Sequence, residues 1–119
     1  MQSVLDLTGG FIIMAKRDAY LLVFAEAVKE HLRAIDAKYH SFIQAKIEEQ
    51  LRYDALVETR NRKPLRRAIL GAEWELRFGP QNRFRAYYRV ITNEQKVSVL
   101  AVGVKERNRL LIAGEEIVG

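Results

Sequence analysis

One carboxylate and several guanidiniums recur at every second residue in two short segments of this 119-residue chain: Glu75 and Arg77 in Trp74-Glu75-Leu76-Arg77-Phe78, then Arg83, Arg85, Tyr87 and Arg89 in Arg83-Phe84-Arg85-Ala86-Tyr87-Tyr88-Arg89-Val90. Alternate residues of a strand share a face, so as strands these segments put the charged groups on one side and Trp74, Leu76, Phe78, Phe84, Ala86 and Tyr88 on the other. Pairing Phe78 with Phe84 in a hairpin sets Leu76 opposite Ala86 and Trp74 opposite Tyr88. On the polar face it sets Arg77 opposite Arg85, Glu75 opposite Tyr87 and Glu73 opposite Arg89. Directly opposed arginines repel and call for a counter-charge. Glu75 supplies part of it, and a bound phosphate would supply it better. The competing reading is an exposed ion-pair ladder worth about 0–1 kcal/mol per pair.

The charge distribution points the same way. The chain has 20 Lys and Arg against 15 Asp and Glu, a net +5. Residues 60–109 hold 13 basic and 4 acidic side chains, a local +9, which leaves −4 for the rest. Such segregation is a footprint for a polyanion, either nucleic acid or an acidic partner protein, or else a solvated basic surface. Arg60, Arg62, Lys63, Arg66 and Arg67 suit backbone contacts that position RNA without reading its sequence. Tyr87 suits stacking on a nucleobase or covering arginine stems. Trp74 alternates inward and is expected to be a core anchor.

The elements that must position these residues follow from periodicity. A strand is expected at Tyr20 to Phe24. Val28, Leu32, Ile35, Tyr39, Phe42, Ile43, Ile47 and Leu51 then recur every three or four residues, an amphipathic helical stripe from about Ala25 to Arg52. One such helix would be about 40 Å long, so a break is expected near Tyr39-His40-Ser41, with Ser41 as the next N-cap. His31 and His40 are expected as helix-surface residues. Residues 54–71 show neither period, and Pro64 reads as part of a basic loop. Strands are expected at about 73–78, 83–91 and 96–103, with turns at Gly79-Pro80-Gln81-Asn82 and Thr92-Asn93-Glu94-Gln95. Val90 opposite Val97 and Tyr88 opposite Val99 continue the core face. The tail from Glu106 to Gly119 reads as a short helix interrupted at Gly114.

Residues 1–17 read as an extension, with Met14 an alternative start, and 18–119 as a single domain. With 49% hydrophobic and 29% charged residues the chain is neither disordered nor membrane-embedded. Zero cysteines rule out disulfides and thiolate zinc sites and fit a reducing cytosol, and two histidines leave little for a metal, so neither metal nor cofactor is expected.

In order, the two helices, Thr59-Arg60-Asn61-Arg62-Lys63, the Trp-Glu-Leu-Arg strand at 74–77, the Arg-Phe-Arg-x-Tyr-Tyr strand at 83–88, Val97-Ser98-Val99-Leu100-Ala101-Val102-Gly103 and Lys105-Glu106-Arg107 resemble the RelE/ParE superfamily of type II toxin-antitoxin toxins, over about Ala19 to Ile112. The resemblance implies an α+β fold, β-α-α-β-β-β, with a small antiparallel sheet, two N-terminal helices on one face and a short C-terminal helix or tail. RelE-type members are metal-independent endoribonucleases that usually cut mRNA on the ribosome, by attack of a 2′-OH on the adjacent phosphate to leave a cyclic phosphate. On that branch Glu75 takes the hydroxyl proton, Arg77, Arg85 and Arg107 bind the scissile phosphate, and Arg60, Arg62, Lys63, Arg83, Tyr87 and Lys105 contact RNA. Several active relatives carry a C-terminal histidine or tyrosine where this chain has Leu110, Leu111 and Ile112, which leaves Tyr87, Tyr88 or Lys105 as the acid. The ParE-like branch implies instead a non-nucleolytic inhibitor of DNA gyrase, and a third reading is a degenerate member that only binds its antitoxin. All imply a cytoplasmic toxin in a heteromeric complex with an antitoxin, whose acidic amphipathic segment covers the basic face, and no membrane.

Overall fold

The computed structural model describes residues 2–5, 11–14 and 18–118, with the first two segments described by backbone alone. Strands β1 (Gln2–Leu5) and β2 (Phe11–Met14) pair with each other. The boundary expected after residue 17 falls outside the described residues. Then follow β3 (Leu21–Phe24), α1 (Val28–Arg33), α2 (His40–Leu51), β4 (Arg62–Ile69), β5 (Ala72–Phe78), β6 (Phe84–Ile91), β7 (Lys96–Glu106), β8 (Arg109–Ile112) and β9 (Glu115–Ile117). The sheet runs β4-β5-β6-β7-β8-β9, all antiparallel, and β3 joins β7 in parallel.

The alternation dictates the centre of this sheet. Trp74 faces Tyr88, Glu75 faces Tyr87, Leu76 faces Ala86, Arg77 faces Arg85 and Phe78 faces Phe84, the register the side-chain pattern predicts. Across β6 and β7, Val90 faces Val97 and Tyr88 faces Val99, whereas Tyr87 faces Ala101, so Leu100 is the extra residue of a bulge.

The helical stripe supplies Val28, Ile35, Ile43, Ile47 and Leu51, all buried against Leu76, Phe84, Tyr88, Val97 and Val99. Each full burial of this kind contributes roughly 1.5–3 kcal/mol. The break falls earlier than the periodicity predicts. Helix α1 ends at Arg33, and the Asp36 carboxylate, not Ser41, accepts from the Lys38 N–H at 3.1 Å to open a 3-10 turn, Ala37–Tyr39, that runs into α2. His40 is no simple surface residue. Its Nε2–H donates to Leu32 O (2.7 Å), which also accepts from the Ile35 N–H, and to Ile35 O (2.8 Å), fastening the start of α2 to the end of α1. Tyr88 donates its hydroxyl to Ala55 O at 2.6 Å, which ties the core to the segment after α2, and burial holds its pKa well above the tyrosine range.

Two further expectations are corrected. Residues 62–69 of the basic loop form strand β4 at the sheet edge, where Pro64 is tolerated and exposed Lys63, Arg66 and Arg67 discourage pairing with another chain. The tail forms β8 and β9 instead of a helix, joined by tight turns in which Arg107 (φ 57°) and Ala113-Gly114 (φ 55° and 78°) take left-handed backbone. These edge strands put an apolar cluster on the second face of the sheet, Ala72, Tyr87, Ala101 and Ile112 with Leu65, Ile69 and Leu110 around it, so that face is not simply polar.

Leu70 begins the turn between β4 and β5 at φ 51°, with its side chain 58% exposed. A leucine there carries left-handed strain that asparagine tolerates. Leu70→Asn is expected to raise stability by about 0.5–1 kcal/mol, read as a higher denaturant midpoint at unchanged slope. No described helix is long and apolar enough to cross a membrane.

Candidate functional site

Glu75 and Arg77 share one face of β5 because they stand two residues apart, and the register brings Arg85 and Tyr87 of β6 against them. Glu75 Oε1 accepts from Arg77 Nε at 2.6 Å, while its Oε2 accepts from the Tyr87 hydroxyl at 2.8 Å and lies 3.5 Å from Arg85 Nη1. Arg85 Nε also donates to Asn82 O at 3.0 Å. The opposed arginines are therefore reconciled within the chain by a carboxylate set between them. Glu75 is 7% exposed, Arg85 9% and Tyr87 1%, so the cluster is closed except at Arg77.

Electrostatics follow from this packing. Burial is the largest single influence on Glu75 and pushes its carboxyl up. The hydrogen bonds from Arg77 and Tyr87 and the charges of Arg85 and Arg77 together outweigh it, leaving the pKa below the usual carboxylate range. Burial first, then the Glu75 charge and hydrogen bond, raise Tyr87 well above the tyrosine range. A general base works best with a pKa near the operating pH and within reach of the proton it takes. Glu75 has a lowered pKa, both oxygens engaged and little exposure. Tyr87 has its proton committed to Glu75, so it is neither an open stacking platform nor a ready acid.

Gly103 of β7 lies opposite Arg85, and a Cβ there would sit 2.9 Å from Leu111 O and 2.9 Å from Ile112 Cγ1. Only glycine lets β8 approach so closely and close the cluster from that side.

The remaining expected site residues are dispersed. Arg107 is exposed in the turn between β7 and β8, with no ion pair or hydrogen bond to Glu75, Arg77 or Arg85 among the described residues. Arg60 and Lys63 are exposed, Lys63 directly across from Glu75. Arg62, expected to face RNA, is 5% exposed: its guanidinium donates to Val57 O and Gln50 Oε1, both at 2.8 Å, bracing the segment between α2 and β4. Arg83 is half-buried over the rings of Tyr39 and Phe84. Lys105 is half-buried, its backbone N–H donating to Arg83 O at 2.7 Å.

Sequence reasoning missed His31. It is buried, and its Nδ1 accepts from the Val102 N–H at 3.2 Å. Along β7, β3 pairs residues 96–99 and β8 pairs 103–106, so the imidazole serves a backbone donor in the gap between them. The signal was present, because Val28, His31 and Ile35 share helical spacing. Beside this seam, a groove of about 380 Å³ opens between β3 and the helices, lined by Phe24, Val28, Leu32, Ile43, Ile47 and Val102, with Glu26 and Lys29 also on its wall.

No curated protein and no solved structure matches the chain. The family model described as the ParE toxin of type II toxin-antitoxin system, parDE, matches residues 22–109, from β3 to the start of β8 and across the whole charge cluster. A match over most of the chain, on a fold that agrees with the RelE/ParE-like arrangement of helices on an antiparallel sheet, places this protein in the ParE toxin family of type II toxin-antitoxin systems.

Proposed function

We propose that this toxin acts by binding a protein target, DNA gyrase, and not by cutting RNA. The observation that carries the reading is the state of Glu75, a buried carboxylate with lowered pKa whose oxygens are held by Arg77 and Tyr87. Three of the four side chains that would make a nuclease site, Glu75, Arg77 and Arg85, form here with Tyr87 an internal brace. Two further features support binding over cleavage: Arg107 stands outside the cluster, and Leu110, Leu111 and Ile112 occupy the stretch where a C-terminal acid would be expected. The family implies an antitoxin partner. The groove beside α1 and α2 offers apolar surface for an amphipathic segment.

The test is induction of the chain in a bacterial host, with cellular RNA 5′ ends mapped and purified toxin added to a gyrase supercoiling assay. Growth arrest with intact mRNA and blocked supercoiling is expected. New 5′ ends inside translated codons, lost on Arg85→Ala in a variant that stays folded, would overturn the proposal and restore the nuclease.

A further inference from the structure

Four aromatic rings gather where β5 turns into β6. Tyr39 lies 5.3 Å from Phe84 between ring centres, and Phe42 lies 6.3 Å from Phe78 and 6.2 Å from Phe84. Gly79 (φ 82°) makes the assembly possible, since a Cβ there would sit 2.6 Å from Phe84. The cluster is not sealed: Phe42 is 38% exposed and Tyr39 half-buried. Two cations rest on it, Lys38 Nζ at 5.1 Å from the Tyr39 ring centre, and the Arg83 guanidinium at 5.6 Å from Tyr39 and 5.3 Å from Phe84.

Neither cation makes an ion pair with a carboxylate among the described residues; the nearby Asp36 carboxylate accepts through one oxygen from the Lys38 backbone N–H at 3.1 Å. The groove beside α1 differs, because its Lys29 and Glu26 neutralise each other at 3.0 Å. Phe42 also lies on a different face of α2 from Ile43 and Ile47, so the two surfaces are separate. An exposed ring flanked by two ring-held cations that make no ion pair among the described residues matches the composition of binding hot spots, where aromatic and arginine anchors meet opposite charge.

We propose that this patch docks the toxin's protein target, through a segment that presents carboxylates to Lys38 and Arg83 and an apolar side chain to Phe42. The inference rests on the reading that the toxin acts by binding a protein. Because a type II toxin must hold an antitoxin and, when free, engage a target, two separate surfaces of different charge suit two partners.

The test compares wild type, the charge-reversed double variant Lys38→Glu with Arg83→Glu, and Phe42→Ser. Thermal melts establish folding, and growth arrest, gyrase inhibition and affinity for the cognate antitoxin are measured for each. Folded variants are expected to lose growth arrest and to need about tenfold or more protein for half-inhibition, with antitoxin affinity unchanged. Full potency in both variants overturns the proposal, as does a parallel loss of antitoxin affinity, which would make the patch the antitoxin's. A wild type that arrests growth without inhibiting gyrase overturns the choice of target while growth arrest still decides the patch. A wild type that arrests nothing overturns both.

Discussion

Glu75→Ala is expected to lower the stability of the domain by about 3–5 kcal/mol, the range for removing one partner of a buried ion pair. The substitution leaves Arg85 with Asn82 O as its hydrogen-bond partner among the described residues and strands the hydroxyl of a tyrosine that is 1% exposed. It also restores the repulsion between Arg77 and Arg85 across the strand pair. Glu75→Gln keeps the volume and an acceptor for Tyr87 and loses the charge, so its loss is smaller. Chemical denaturation reads both as a shift in midpoint. The acid limb provides a second check. A carboxyl whose folded pKa lies below its ordinary value of 4.5 contributes stability that is fully present above pH 4.5 and is lost as pH falls through the folded value. Wild type should lose stability in that window, and Glu75→Gln should lose less. The two functional readings also part here. In a brace, a folded Glu75→Gln toxin still arrests growth; in a nuclease base, arrest disappears at unchanged stability. An alanine variant as stable as wild type would remove the brace from the account.

How much of this was legible depends on whether the determinant is local. The pairing of β5 with β6 follows from alternation alone, because a slip of one residue would send Leu76, Phe84 and Tyr88 to the wrong face. The composition of the charge cluster follows from the same register. Its closure does not, because it depends on strands whose own patterns are weak. Strand β4 carries Pro64 and four cations in eight residues, which reads as a loop until its place at a sheet edge is known. The four-residue strand β8 lies between turns at Arg107-Asn108 and Ala113-Gly114, and its Leu-Leu-Ile run fits a helix as well as a strand. With those edge strands unrecognised, Tyr87 reads as open to solvent, when Ala101 and Ile112 cover it. Arg62 is the clearest case of tertiary override: nothing in its neighbours distinguishes it from Arg60, and its burial depends on Gln50 one element away. The helix break moved for a local reason, because Asp36 competes with Ser41 as a cap and His40 then closes the preceding turn.

His31→Leu is expected to cost about 1–3 kcal/mol, the penalty for leaving a buried backbone donor without its acceptor. Val102 N–H meets His31 Nδ1 at 3.2 Å in the stretch of β7 that neither β3 nor β8 covers, and leucine offers no lone pair there. Because Nδ1 accepts, the neutral ring carries its proton on Nε2, and protonation would set two donors against each other. Burial lowers the His31 pKa below its ordinary 6.5, with the charge of Glu30 opposing and not overcoming it. Glu106 of β7 borders the same small cavity, whose lining from β8 and its turn is Leu111, Ala113 and Gly114. The unfolded chain therefore takes up a proton near pH 6.5 that the folded chain refuses, so this stability is present above 6.5 and lost as pH falls toward the folded pKa. The difference in unfolding free energy between wild type and His31→Leu should accordingly be largest at neutral pH and shrink on acidification. Amide exchange at Val102 should quicken over the same window in wild type, since opening the seam frees that N–H. The lining of the groove by Val28, Lys29 and Leu32 of α1 and by Val102 means the same opening would reshape it. A stability difference that stays constant through this window would show that His31 holds α1 to the sheet by packing alone.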